Sequence, residues 1–203
     1  EHDLTYDVTW LGASPAKIND LGDALASLKA AQNPVVIVGQ QALTRKDGAA
    51  ILAAAFDVAK QSDAGFNVLH TAASRVAGLD LGFLPSNGGM TAAEMVKGNL
   101  EVLFLMGADE IDATGTDAFT VYVGHHGDRG AHAADVILPA AAYTEKNATY
   151  VNTEGRVQFG RLANFPPGDA REDWTIFRAM AGSMGIELGF DNLVELRQAM
   201  VQE

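Results

Sequence analysis

Cysteine is absent from this 203-residue sequence, and several chemistries go with it. Disulfides, thiolate catalysis, zinc ribbons and cysteine-held iron–sulfur clusters are excluded within these residues. Such a composition suits a reducing compartment. No run of about 18 apolar residues occurs, so nothing reads as a membrane-spanning helix and no direct membrane insertion is expected. The apolar stretch 49–59 is short and runs into Lys60, as a buried helix would.

Basic residues are scarce: 14 Lys and Arg against 26 Asp and Glu leave a net charge of −12. A nucleic-acid surface needs clustered cations to displace counterions, so nucleic acid is not an expected partner. The acidic excess reads as a solubility-giving surface. Two nucleotide signatures are also missing. Gly39 leads into Gln40-Gln-Ala-Leu-Thr44 rather than G-x-G-x-x-G, and Lys46-Asp47 closes no G-x-x-x-x-G-K frame. NAD or ATP held by a standard loop is therefore not expected. The chain opens on Glu1 with no charged and apolar leader, which suggests a processed or truncated polypeptide. Neither an internal repeat nor a low-complexity tract is present.

What is present suits a globular core: 48% of the residues are apolar and 20% charged. Residues 1–16 show no period and read as a lead-in segment. Ile18, Leu21, Leu25 and Leu28 share one helical face, and Asn33-Pro34 ends that helix. The run Pro34-Val-Val-Ile-Val-Gly39 reads as a central parallel strand. A helix follows to about Gln61 with Leu52, Phe56 and Ala59 on one face. Further strands are expected at 66–70, 101–106, 119–123 and 135–138, with a Gly-rich connection over 71–91 and a short helix at 92–97. Strands alternating with helices predict an α/β fold, a doubly wound and mostly parallel sheet over 17–147. Residues 148–203 are expected to add a hairpin or extended loop at 149–159, turning at Thr153-Glu154-Gly155, and two closing helices on the same domain. Asp169 with Glu172 gives a capping-box-like start to the first of these, before Trp174, Phe177, Ala181 and Met184. Leu193, Leu196 and Met200 give the second its face.

Ligands of open α/β sheets bind at the carboxyl ends of strands. Those ends carry Gly39, His70, Gly107-Ala-Asp-Glu110, Gly124-His-His-Gly127 and Pro139. Glycine there permits close backbone approach, but strands commonly end so. His125 and His126, with Asp128 and His132 nearby, hint at a metal; adjacent residues at a strand end diverge, and a plain loop is the better reading. Asp109, Glu110 and Asp112 read as caps and loop charge before they read as an acid–base pair. Glu145, Lys146, Asn147, Asn152, Glu154 and Arg156 form the densest polar set. Such residues either hydrogen-bond a polar cofactor or pin an irregular segment with few backbone partners.

The run Ala134-Asp-Val-Ile-Leu-Pro-Ala-Ala-Ala-Tyr-Thr-Glu-Lys146, followed by Thr149-Tyr-Val-Asn-Thr-Glu-Gly-Arg-Val-Gln158, resembles the molybdopterin oxidoreductase superfamily. In that family "ADV-x-LP", a Glu and "N-x-EGR" recur near the pterin groove. Tyr122-Val-Gly-His-His-Gly-Asp128, the Ala142-Tyr-Thr-Glu-Lys146 run and Pro166-Pro-Gly-Asp-Ala-Arg-Glu-Asp-Trp174 are similar to a narrower family. This is the large iron–sulfur subunit of NADH:quinone oxidoreductase (respiratory complex I), in its mitochondrial and alphaproteobacterial form. The likeness runs from about Ile18 to the end and corresponds to the C-terminal part of that subunit.

The resemblance implies a domain of an enzyme complex, a translocase, with no catalytic, cofactor or metal site of its own. The 2Fe-2S and 4Fe-4S clusters of the full-length subunit would sit on cysteines elsewhere, and the superfamily's molybdenum ligand also lies outside this segment. Gly107, Asp109, Glu145, Asn152, Glu154 and Arg156 would be vestiges of a pterin groove turned to structural use. Its partners would be other subunits of the peripheral arm, on the cytoplasmic side of a bacterial inner membrane or the matrix side of the mitochondrial one. The competing reading is part of a cofactor-bearing enzyme such as a formate dehydrogenase or nitrate reductase. There 107–110 and 145–156 would contact a guanine-dinucleotide pterin. A free-standing small α/β binding protein is a third reading, disfavoured by the strand-poor opening.

Overall fold

A computed structural model describes residues 5–127 and 129–202 of the chain. Asp128 and the first four residues of the lead-in segment lie outside the described residues. The chain divides into two units: Glu1–Arg75 with Thr153–Gly155, and Val76–Asn152 with Arg156–Glu203. The architecture is α/β, with parallel strands in both units.

In the first unit the helix expected over 18–28 is interrupted. Ser14 caps a 3₁₀ turn at Pro15–Asn19, accepting from the Ala16 amide. Asp20 then leaves helical geometry, and α1 (Asp23–Ala30) begins after Gly22 at φ 50°. Glycine is the residue that takes a positive φ without a Cβ penalty, so two short pieces replace one helix. The β-branched run forms β1 (Val35–Gly39). The helix expected up to Gln61 is also split, into α2 (Gln40–Leu43) and α3 (Gly48–Gln61). A Cβ on Gly48 would lie 2.1 Å from the Leu43 carbonyl oxygen, so only glycine lets the second helix start this close to the first. The guanidinium of Arg45 donates twice to the Asp47 carboxylate across the joint.

α3 packs on β1 and on the 3₁₀ turn. Its buried stripe is Ile51, Ala55, Val58 and Ala59 rather than the expected Leu52, Phe56 and Ala59. Small alanines sit where the helix meets the sheet. Phe56 lies to the side, its ring 5.3 Å from Phe66 in an edge-on contact, with the Lys60 ammonium 4.6 Å above it. β2 (Gly65–Leu69) pairs in parallel with β1, Val36 opposite Phe66 and Val38 opposite Val68. Gln40 bridges the carboxyl ends of the two strands, its Oε1 accepting from the Thr71 amide and hydroxyl. Asn67 donates to the carbonyl of Thr153.

Helix α4 (Arg75–Asp80) begins on the last residue before the second unit, inside a stretch expected to be only a connection. α5 (Ala92–Met95) opens with a capping box, Thr91 and Glu94 bonding each other's backbone amides. The sheet of this unit orders β3 (Val102–Met106), β4 (Phe119–Gly124) and β5 (Val136–Pro139) in parallel with β4 central; α6 (Arg129–Ala133) joins β4 to β5. Central position explains why Thr120, Tyr122 and Val123 of β4 are buried. One face carries Leu103, Leu105 and Tyr122 with Ala113 and Ala118; the other carries Val121, Val123 and Ala140 beneath Ile176 and Phe177. Asp135 locks the entry to β5, its carboxylate accepting from the Thr120 amide and its amide donating back to the Thr120 carbonyl.

Of the hairpin or extended loop expected at 149–159, a hairpin forms from β6 (Ala148–Val151) and β7 (Val157–Gly160), antiparallel, with Gly155 at φ 77° in the turn. α7 (Asp173–Ser183) starts without the expected capping box: Glu172 is the N-cap, and no side chain caps the helix. α8 (Leu193–Gln202) begins after Asn192, whose side-chain oxygen accepts from the Val194 and Glu195 amides. Among the described residues no helix is long and apolar enough to cross a membrane.

Candidate functional site

The carboxyl ends of β3 and β4 bring together Gly107, Asp109 and the His125–His126 pair. Gly107 stands at φ 57° with open space around its Cβ direction, so backbone conformation calls for glycine there. Its amide donates to the Val123 carbonyl, turning the chain off β3. Asp109 then meets the neighbouring strand: the Tyr122 hydroxyl lies 2.8 Å from Asp109 Oδ1 and 2.8 Å from the His126 carbonyl oxygen.

Tyr122 is 1% exposed, and its ring takes up space that the glycines leave. A Cβ on Gly124 would approach the Tyr122 Oη to 2.2 Å, and one on Gly130 would approach Cδ2 to 2.9 Å. Glycine at this strand end, read from sequence as permitting a ligand to approach, here admits a phenol ring of the same chain. The aromatic–aliphatic pattern of β4 gave no hint of that use. The signal was the glycine two residues after a tyrosine on one face of a strand, since alternate residues share a face.

His125 and His126 are exposed and stack edge-to-face, their ring centroids 4.5 Å apart and their Nδ1 atoms in contact. No group of three metal-ligating side chains assembles among the described residues; His132 lies on α6, and Asp128 is outside them. Asp112 accepts from the Thr114 hydroxyl and amide, which hold its carboxyl below the usual aspartate range. That is a turn-forming use of the residue. Glu110 is exposed beside it in sequence.

The polar set from Glu145 onward is largely bonded to its own chain. Glu145 Oε2 accepts from the Ala142 amide while its own amide donates to the Ala142 carbonyl, closing a turn after the buried Ala140 and Ala141. Lys146 pairs with Asp173 in the first turn of α7, both side chains about a quarter exposed. Asn147 donates its amide to Glu172 and accepts from the Leu162 amide through its side chain. Glu172 also accepts from the Trp174 indole at 2.6 Å. Asn152 receives the Arg156 amide on its side chain and donates its own amide to the Arg156 carbonyl, which closes the hairpin end. Glu154 belongs to the first unit and is exposed. Sequence alone did not reveal Glu172 and Asp173 as anchors, because their partners stand 25 and 27 residues away.

Residues 1–183 match the family described as molybdopterin oxidoreductase. The chain belongs to the molybdopterin oxidoreductase family. Among relatives of this family member, an NADH-quinone oxidoreductase subunit of Rickettsia felis is 43% identical over 100% of this chain and 31% of its own length. The mitochondrial NADH-ubiquinone oxidoreductase 78 kDa subunit of Neurospora crassa is 41% identical over 98% of this chain and 28% of its own. The corresponding Candida albicans subunit is 44% identical over 95% and 27%. This molybdopterin oxidoreductase domain thus spans 27 to 31% of the curated relatives it matches.

Proposed function

We propose that the chain is a non-catalytic structural domain of the large iron–sulfur subunit of an NADH:quinone oxidoreductase. It supports the arm that carries electrons from NADH to quinone. The observation that carries this reading is identity of 41 to 44% over 95 to 100% of the chain to subunits of that enzyme from a bacterium and two fungi. Its partners are the other subunits of the peripheral arm, facing the bacterial cytoplasm or the mitochondrial matrix. The 2Fe-2S and 4Fe-4S clusters belong to cysteines elsewhere in the subunit.

Gly107, Asp109, Glu145, Asn152, Glu154 and Arg156 are, on this reading, vestiges of a groove. Against a pterin seat stands the use already made of several of these donors and acceptors. Tyr122 occupies the space between Gly124 and Gly130 and engages Asp109. Glu145 closes its own turn, and Asn152 closes the hairpin. These are bonds that hold a fold.

The family match is shared by the alternative, a cofactor-bearing molybdopterin oxidoreductase. Purification through a tag on the full-length polypeptide separates the two. NADH:quinone reductase activity is expected to follow the tag, without stoichiometric molybdenum or tungsten. Stoichiometric metal in a preparation lacking that activity would overturn the proposal. Arg156→Ala supplies a second check: turnover of the assembled enzyme should fall only as far as stability and assembly do. Lost turnover at unchanged stability and assembly contradicts a structural role.

A further inference from the structure

Parallel sheets occur almost only with both faces covered by helices. The sheet of the second unit satisfies this incompletely. Paired residues of parallel strands project to one side, so register places Val102, Phe104 and Met106 of β3 on the same face as Phe119, Val121 and Val123 of β4. Helix α7 covers Val121 and Val123 through Ile176 and Phe177. It reaches β3 at Phe104, whose ring lies 6.2 Å from that of Phe177. Beyond it, Val102, Phe104, Met106 and Phe119 are 49, 43, 53 and 50% exposed. Val121 and Val123 of β4 are roofed, whereas Phe119 and the β3 residues are left largely bare.

The backbone of β3 repeats the pattern. Phe119 donates to the Glu101 carbonyl and Gly107 donates to the Val123 carbonyl, so the odd-numbered peptide groups of β3 face β4. The amides of Val102, Phe104 and Met106 therefore point to the opposite edge. Among the described residues β3 has no second strand partner. An open edge joined to an apolar face is a template for uncontrolled pairing, and folded proteins cover both.

We propose that this edge and face are completed by a strand-and-helix unit from another part of the same polypeptide, outside Glu1–Glu203. The strand pairs with β3, and the helix lies beside α7 over Val102, Phe104, Met106 and Phe119. One βα unit supplies both missing pieces in a single connection, as α/β folds do. The length of the relatives points to this occupant: the chain accounts for only 27 to 31% of them. A second copy pairing edge to edge through β3 would extend the sheet and leave the apolar face bare on both copies. The first unit shows the same incompleteness independently, with Val35, Ile37 and Leu69 of its two-stranded sheet exposed. The inference rests on the proposed function only in taking the chain as a domain of a longer subunit.

Photo-crosslinking in the full-length, tagged polypeptide within its purified complex tests this. With Met106→p-benzoylphenylalanine, and Phe119→p-benzoylphenylalanine as a second position, the linked peptide should come from the same polypeptide outside Glu1–Glu203. A link to another polypeptide, to a second copy or only to residues within 1–203, or no link at all, overturns the inference and leaves the proposed function standing. Stoichiometric molybdenum or tungsten in the purified, unaltered polypeptide without NADH:quinone reductase activity rejects the function, while the linked peptide still decides the inference. Hydrogen exchange on the unaltered full-length protein does not depend on either variant folding. The Val102, Phe104 and Met106 amides should exchange within about tenfold of the Leu103 and Leu105 amides. Faster exchange than that overturns the proposal.

Discussion

The Tyr122 hydroxyl lies 2.8 Å from Asp109 Oδ1 and ties the loop after β3 to the strand beside it. The same hydroxyl lies 2.8 Å from the His126 carbonyl oxygen, so its single proton is shared between acceptors at the two strand exits. Tyr122→Phe keeps the ring and removes these bonds. Hydrogen bonds to charged groups contribute about 1.5–3 kcal/mol, and thermal unfolding should show a loss in that range. Asp109→Asn should cost less, because an amide oxygen still accepts. In the double variant the costs should fall short of additive, as expected for two groups in one bond. Fully additive costs would mean that the pair contributes nothing.

Gly124 and Gly48 are both required by close approach, but to different neighbours. Gly124→Ala drives a Cβ into the Tyr122 phenol, and Gly48→Ala drives one into the Leu43 carbonyl oxygen. Overpacking of this kind costs about 1–3 kcal/mol or more. The two should separate on a second substitution. In a Tyr122→Ala background Gly124→Ala should become nearly free of cost, since the obstructing ring is gone. No side-chain change at Leu43 should relieve Gly48→Ala, because the obstruction is backbone. Denaturant unfolding of the single and double variants measures both effects.

Features carried by local chemistry were legible in the sequence. The runs Val35–Gly39, Val102–Met106 and Phe119–Gly124 are β-branched or apolar throughout, and each forms a parallel strand. Thr153-Glu154-Gly155 between two extended runs marked the turn and left a hairpin or an extended loop, of which the hairpin formed. The capping box at Thr91-Ala-Ala-Glu94 was not among the expectations, and the pattern at Asp169 and Glu172 misled. Glu172 is drawn instead to the Trp174 indole two residues on and to the Asn147 amide, and the second is a tertiary demand that no local window contains. On α3 the largest side chains suggested the buried face, yet close helix–sheet packing favoured Ala55 and Ala59 and set Phe56 beside Phe66. At the candidate site the polar residues were all visible. Their partners were not, because Glu145, Lys146 and Asn147 are satisfied by a turn, by α7 and by the chain at Leu162.

Lys146 and Asp173 pair with side chains 23% and 26% exposed, between a surface pair and a buried one. Exposed pairs contribute up to about 1 kcal/mol. Losing one partner of a buried pair costs about 3–5 kcal/mol through the charge left behind. Lys146→Met should therefore destabilise by about 1–3 kcal/mol, and Asp173→Asn by a similar amount. Lys146→Met with Asp173→Leu should recover part of the loss, because no unpaired charge remains. Unfolding at low and high salt should also show little screening of this pair compared with Arg45–Asp47, which is about half exposed on both sides. A double variant as unstable as the sum of the singles would exclude the pairing as the cause.

Glu94 gives a pH signature on α5. The Thr91 amide and then its hydroxyl hold the Glu94 carboxyl below its ordinary value of 4.5. A carboxyl with a depressed folded-state pKa binds fewer protons in the native state than in the unfolded one. Its contribution is therefore complete above the unfolded value and is lost as pH falls through the folded one. Glu94→Gln should lower stability at neutral pH, and the gap from the unaltered protein should close as the pH drops below about 4. Thr91→Val should also lower stability at neutral pH, but its gap should close only in part, because the lost hydroxyl caps the Glu94 amide at every pH. Urea midpoints from pH 7 down to pH 3 measure the gap. If it stays constant through the acid limb, Thr91 and Glu94 act through helix propensity alone and the capping box is not charge-dependent.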